Sequence, residues 1–290
     1  MNEPLRDLLA TLTSPEKAAA YAEDTYVQET AEQLDRLGVD ATKFTREHSL
    51  LLLKPDAVVA RAVRPTLEWL RDNGFRVVAA RRLAADRHMI RALWYFAWNI
   101  ASPERRRLAD LLAGICDVLV LVVHADDGAL PVPVRFTEAK GATDPRKRRP
   151  GELRHLLGNH SYLLNLVHTP DDPADVLREL AIYFDERVRA AVIAEAGIGA
   201  DRTDEAAAIA DDLYAEAPAR GFDRAAALHR ILDDLARAGI AAPPDAETTT
   251  GSARLLHAAW AEGRALDPWS VIVLGSYVLP MRTGQSEVRS

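Results

Sequence analysis

An α+β fold follows from three features of the sequence: short apolar runs of strand length, amphipathic helical stretches between them, and an alternating order of the two. Leu50–Lys54, Phe75–Leu83, Val118–His124 and Tyr162–Val167 read as strands. Val59, Val63, Leu67 and Leu70 fall on one face of a helix over 58–72 that stops at Asn73-Gly74. Residues 88–113 read as helical with a break near Ser102-Pro103, and 173–189 as a further helix. The order β-α-β-α-β-loop-β-α predicts a ferredoxin-like split βαβ sandwich, with a four-stranded antiparallel sheet carrying helices.

The flanks differ from this core. Residues 1–45 read as helical, with Ser14 as an N-cap before Pro15 and Gly38 suited to a C-cap. Val118–His124 is apolar enough to be a strand buried on both faces. Residues 125–160 hold glycines, prolines and the basic run Arg146–Arg149, and read as a long loop of the kind that carries function. Beyond residue 190 come alanine-rich helices over 204–217 and 223–238, separated by Pro218 and Gly221. Then follow a linker over 241–252, a helix over 254–261, and Trp269–Leu279 as an apolar strand or buried segment. The expected organisation is an N-terminal helical segment (1–45), a central domain (46–190) and a mostly helical C-terminal domain (191–290).

Bulk properties narrow the function. The chain has 290 residues and a net charge of −7, so any anion site must be a local patch, and nucleic acid is not an expected partner. Cys116 is the single cysteine, which excludes an intramolecular disulfide and a cysteine-based metal site and reads as a small buried hydrophobe. The longest apolar runs, Leu50–Leu53 and Val118–Val123, are too short to span a bilayer, and no secretory leader is read at the start. The expected location is cytoplasmic.

The chemistry concentrates in one stretch. His168 ends the fourth predicted strand, and Glu179 follows eleven residues later on the next helix. A carboxylate so placed can hold one ring nitrogen, fix the tautomer and leave the other nitrogen as a nucleophile. Plainer readings exist for the other conspicuous residues. Lys54-Pro-Asp56 is also a common surface turn, Arg146–Arg149 a solvated loop, and His155 and His160 ordinary polar residues. Trp94, Tyr95 and Trp98 share helical spacing and read as core.

Three blocks together resemble the nucleoside diphosphate kinases. Ser49-Leu-Leu-Leu-Leu-Lys54-Pro-Asp-Ala-Val-Val-Ala-Arg61, followed by a helix and Asn73-Gly-Phe75, looks like that family's opening. Gly141-Ala-Thr143-Asp-Pro145, then Pro150-Gly-Glu-Leu-Arg154, then Asn165-Leu-Val-His168 resemble its later motifs. The Thr143-to-Arg154 spacing of eleven matches, and the Arg154-to-His168 spacing is one residue longer than the family's. The resemblance covers about residues 46–187.

It implies a phosphotransferase that moves a γ-phosphoryl group from a nucleoside triphosphate such as ATP, through His168, to a nucleoside diphosphate. Glu179 would hold the ring, Lys54 and Arg154 would pair with phosphates, Thr143 would donate a hydroxyl, and Asn165 would contact the ribose. Tyr95 is the candidate for the family's active-site tyrosine, and Arg135 is the arginine nearest to the family's second phosphate-binding position, occupied here by Thr137. Mg²⁺ would arrive with the nucleotide, held by its phosphates, with no protein metal site. Other departures are Ala57 for a glycine, Ser102 where an aromatic stacks on the base, and Pro170 where a serine supports the glutamate. They motivate two alternatives: a kinase with a specialised metabolite acceptor, and a non-catalytic nucleotide-binding or interaction module. The family's habit of oligomerising suggests a homo-oligomer, with a dimer as the modest expectation.

Overall fold

The computed structural model describes residues 3–126, 128–158 and 160–284. Four helices come first: α1 (Glu3–Leu12), α2 (Pro15–Tyr21), α3 (Thr25–Arg36) and α4 (Ala41–Glu47). The core then runs β1 (His48–Leu53), α5 (Pro55–Val59), α6 (Val63–Asp72), β2 (Arg76–Leu83), α7 (Arg87–Leu93), α8 (Tyr95–Trp98), α9 (Pro103–Ala113) and β3 (Val118–His124). It continues with α10 (Val132–Lys140), α11 (Leu153–Leu156), β4 (Val167–His168) and α12 (Pro173–Tyr183). Five more helices follow: α13 (Glu186–Ile198), α14 (Thr203–Glu216), α15 (Arg224–Arg237), α16 (Thr249–Ala261) and α17 (Pro268–Val278).

The sheet order is β2-β3-β1-β4, with every neighbouring pair antiparallel. This is the predicted split βαβ arrangement. Both faces are covered, which explains the unbroken apolar runs Leu50–Leu53 in β1 and Val118–Val123 in β3. Leu51, Leu53, Leu119 and Leu121 pack on one face with α5, α6 and the C-terminal helices. Leu50, Leu52, Val120 and Val122 pack on the other with the N-terminal helices, α12 and α13. Residue 190 falls inside α13, and Ala206, Leu213, Ile231 and Ile272 share one apolar core with the sheet. The link from α13 to α14 rounds the outer edge of β2, where Arg202 N–H donates to Val77 O at 2.8 Å. Arg81 on β2 pairs with Glu195 of α13 and Glu205 of α14, so the sheet edge is blunted.

Several elements depart from expectation for identifiable reasons. The fourth strand is two residues long, not six, because the segment before it is captured by local bonds. Leu164 N–H donates to Ser161 Oγ, Asn165 Nδ2 donates to Tyr162 O, and Leu166 takes a left-handed φ of 64°. The long loop over 125–160 contains α10, whose Pro131 and Pro133 mark a helix start rather than a loop. Trp269–Leu279 is the helix α17, apolar all round because it is buried on all sides. The linker over 241–252 ends at Thr248, which caps α16 through Gly251 N–H. The stretch 88–113 breaks into α7, α8 and α9, and 173–189 breaks at Phe184 with Asp185 capping α13. Cys116 is only partly buried. No helix among the described residues is long and apolar enough to cross a membrane.

Two stability predictions follow. His48 is buried against Phe44 and His124, and burial pushes its imidazolium down to about 4. The unfolded chain therefore takes up this proton first as the pH falls. Stability is intact above about 6.5 and drops by up to about 3 kcal/mol between about pH 6.5 and 4. A His48→Phe variant should flatten that part of a Tm-against-pH curve; an unchanged slope would contradict the assignment. At Gly275 α17 packs against α9, and an added Cβ would lie 2.8 Å from Leu108 Cδ2. Gly275→Leu should cost about 1–3 kcal/mol in urea unfolding, and an unchanged midpoint would show that this contact has slack.

Candidate active site

The pairing of β1 with β4 brings the separated motifs together. Leu52 lies opposite His168 and Leu53 opposite Val167. Lys54 follows directly, its backbone N–H donating to Leu166 O at 3.0 Å. Asp56 Oδ2 then accepts from Leu166 N–H at 2.9 Å and from Lys54 Nζ at 3.2 Å. Lys54-Pro-Asp56 is therefore no surface turn, since Lys54 and Asp56 are both buried. Asp56 holds the strained Leu166, a conformation that costs about 1–3 kcal/mol, and thereby the start of β4. Ala57 sits in α5 without a positive φ, so its Cβ brings no backbone strain.

A cavity of about 280 Å³ opens beside β4. Lys54, Lys140, Thr143, Arg154, Asn165, His168 and Asp171 form its polar side. Met89, Ile90, Trp94, Trp98, Ala109 and Leu112 form an apolar side, with Arg105 and Tyr162 at the boundary. His168 Nε2 is 2.8 Å from Glu179 Oε1. Glu179 is buried on α12, and its other oxygen accepts from Tyr183 Oη at 3.3 Å. With Nε2 engaged, Nδ1 is the ring nitrogen left for the cavity. Trp94 meets the imidazole edge-on, with centroids 5.3 Å apart.

Charges are buried here in number. Burial, and then the nearby Lys140 ammonium, hold the His168 imidazolium well below its ordinary range, so the ring is neutral at pH 7. Burial, and then the Asp171 carboxylate, push Glu179 up, while Lys140 and the Tyr183 hydrogen bond oppose this. Burial also lowers Lys54, despite the raising effect of Asp56. Arg154 donates to Gly141 O at 3.0 Å, Thr143 Oγ1 at 3.1 Å and Val167 O at 2.7 Å. Its Nε is buried with no hydrogen-bond partner among the described residues. Gly141 has φ 87° and faces Glu152, so no side chain fits where Arg154 binds its carbonyl.

Of the sequence-derived candidates, Lys54, Thr143, Arg154, Asn165 and His168 line one cavity, with Glu179 directly behind His168. Two are corrected. Tyr95 is 60% exposed and packs edge-on against Phe96, because the face of its helix turned to the cavity belongs to Trp94 and Trp98, four residues apart. Arg135 donates to Asp126 O in a separate surface hollow, since it lies about 200° around α10 from Thr137. Trp94 and Trp98, read as core, are cavity walls. Arg148, read as a solvated charge, is buried and knits the loop by donating to Ala142 O, Thr143 O and Gly158 O. His160 stacks on Phe222. Ser102 is a buried cap of α9 that also donates to Pro280 O.

Sequence reasoning missed Lys140, Tyr183 and Arg105. Tyr183 was readable from its position four residues after Glu179 on a helix. Lys140 offered only weaker signals: it follows Thr137 by three residues and precedes the glycine before Thr143.

The family model described as "Nucleoside diphosphate kinase" matches residues 47–188. The nucleoside diphosphate kinase of Wolinella succinogenes is 30% identical over 141 residues, covering 49% of this chain and 97% of that protein. That of Heliobacterium modesticaldum is 32% identical over 143 residues, covering 48% of this chain and 87% of its own length. Among solved structures, a nucleoside-diphosphate kinase from Borrelia burgdorferi with bound vanadate and ADP aligns at 22% identity and TM-score 0.42, covering 49% of this chain and 88% of that one. The chain belongs to the nucleoside diphosphate kinase family.

Proposed function

We propose that this chain transfers the γ-phosphoryl group of a nucleoside triphosphate to His168 and from there to a nucleoside diphosphate. One observation carries the reading: His168 is held through Nε2 by the buried Glu179, at 2.8 Å, in a cavity that also collects Lys54, Thr143 and Arg154 from distant parts of the chain. Family membership favours this reading over a specialised acceptor or a non-catalytic module.

The chemistry follows from the geometry. The Nδ1 lone pair attacks the γ-phosphorus. An N–P bond forms as the bond to the β–γ bridging oxygen breaks, and nucleoside diphosphate leaves. A second diphosphate reverses the step. Such transfer needs positioning and positive charge more than covalent machinery. Lys54 and Arg154 would supply charge. Thr143 and Asn165 would add polar contacts to the nucleotide. The indoles of Trp94 and Trp98 line the apolar side.

Mg²⁺ would be held chiefly by the nucleotide phosphates, whose charge it would neutralise during transfer. For assembly, a dimer remains our reading. It would use a surface other than the β2 edge, which the link between α13 and α14 rounds.

Incubating the protein with γ-labelled ATP and Mg²⁺ should give an acid-labile, base-stable protein label. His168→Ala should abolish it. An unlabelled wild type, or a label that survives in His168→Ala, would reject the proposal.

The pH dependence has a definite sign. Nδ1 is nucleophilic only when Nε2 carries the proton and Glu179 is ionised. Because burial raises Glu179, acid leaves the proton on its carboxyl, which then donates to Nε2 and forces the proton of the ring onto Nδ1. At saturating nucleotide, the single-turnover rate should therefore rise from about pH 6 to about pH 9. Glu179→Gln should lower the rate on the order of 10²-fold and flatten the profile, with ADP affinity largely kept. A wild-type rate that falls across this range would contradict the assignment.

A further inference from the structure

Three basic side chains are buried at the polar end of the cavity, and they differ in what neutralises them. Lys54 Nζ lies 3.2 Å from Asp56 Oδ2. Arg154 spreads its charge over a guanidinium that donates to two carbonyls and a hydroxyl. Lys140 is 4% exposed, and its Nζ donates to Thr169 Oγ1 at 2.6 Å and Thr137 Oγ1 at 2.9 Å. Its ion-pair partner, Asp171 Oδ1, is 4.0 Å away on a side chain 73% exposed. Among the described residues this buried ammonium is held close only by hydroxyls, and so lacks most of the compensation that burial demands. Its surroundings include His168, Arg154 and Thr143, which line the same cavity.

We propose that Lys140 contacts the phosphate groups of the nucleotide bound beside His168 and supplies positive charge to the transferring phosphoryl group. This rests on the phosphoryl-transfer reading above and adds to it a residue that the sequence motifs do not contain. The bond changes are those already described. Lys140 stays an ammonium throughout the transfer, donating to phosphate oxygens as the N–P bond forms. The Thr137 and Thr169 hydroxyls aim it from one side, and the incoming anion is its missing counter-ion. Burial, and then Arg154, bring Lys140 down to about 7, so a substantial fraction of the ligand-free protein holds it uncharged near neutral pH. Phosphates restore its charge, and binding therefore draws a proton from solvent.

The test is calorimetric titration with ADP and Mg²⁺ at about pH 8 in two buffers of different ionisation enthalpy, on wild type, Lys140→Met and Lys140→Arg, paired with the rate of acid-labile labelling by ATP. Wild type should take up more protons than either variant, by a sizeable part of one proton. Lys140→Met should slow labelling on the order of 10²-fold, and Lys140→Arg should recover most of that loss. Lys140 held only for packing would leave the wild-type and variant proton uptake equal, and that result overturns the proposal. If Lys140→Met fails to fold, the wild-type and Lys140→Arg uptake decide alone, equality again being fatal. Wild type that is labelled as fast as Lys140→Met sinks only the role of Lys140. Wild type that neither binds ADP nor takes label sinks the phosphoryl-transfer reading and this proposal with it.

Discussion

The bond between Glu179 and the Nε2 of His168 is the constraint on which the rest of the site depends. It decides which ring nitrogen faces the cavity and which proton must be absent for that nitrogen to react. It also needs support from two directions. Tyr183, one turn further along α12, holds the second carboxylate oxygen. Arg178, beside Glu179, donates to the Asp24 carboxylate and to the Ala92 and Leu93 carbonyls, tying α12 to α3 and to the helices that carry Trp94. The N-terminal segment braces the same helix, with Lys17 paired to Asp172 and Asp175 and Tyr21 Oη donating to Asp175. Buried pairs of this kind are a poor route to stability and a good one to fixed geometry.

The cavity itself is an electrostatic compromise. Concentrating Lys54, Lys140 and Arg154 out of water is unfavourable in an empty site, because desolvation penalises each charged form. The chain limits the cost by giving Lys54 a carboxylate, Arg154 a set of carbonyls and Lys140 two hydroxyls. What remains is unbalanced positive charge in a small space, which an anionic ligand would relieve. The strained Leu166 and the obligatory Gly141 are local backbone concessions to the same arrangement.

Much of this was legible in the sequence, and the failures have physical causes. The fold class and β3 were readable because element order and apolar composition agree there. Lys54, Arg154, His168 and Glu179 were readable because their motifs recur in order along the chain, even where one spacing changes. The fourth strand and α17 were misread because an apolar run reports burial but not backbone conformation: side-chain capture by Ser161 and Asp56 overrode the strand pattern at one, and all-round burial hid the helical period at the other. Tyr95 and Arg135 failed through rotation about a helix, where one residue's difference in position turns a side chain by about 100°. Lys140 escaped because nothing local distinguishes a buried lysine from a solvated one; its burial comes from Thr169 and from the packing of α10 against the core.

The most direct measurement is phosphorus and nitrogen NMR of the phosphorylated protein, labelled with ¹⁵N at histidine, to identify the phosphorylated ring nitrogen. Because Glu179 occupies Nε2, the phosphoryl group should be found on Nδ1 of His168. A phosphoryl group on Nε2, or on another histidine, would contradict the account at its centre.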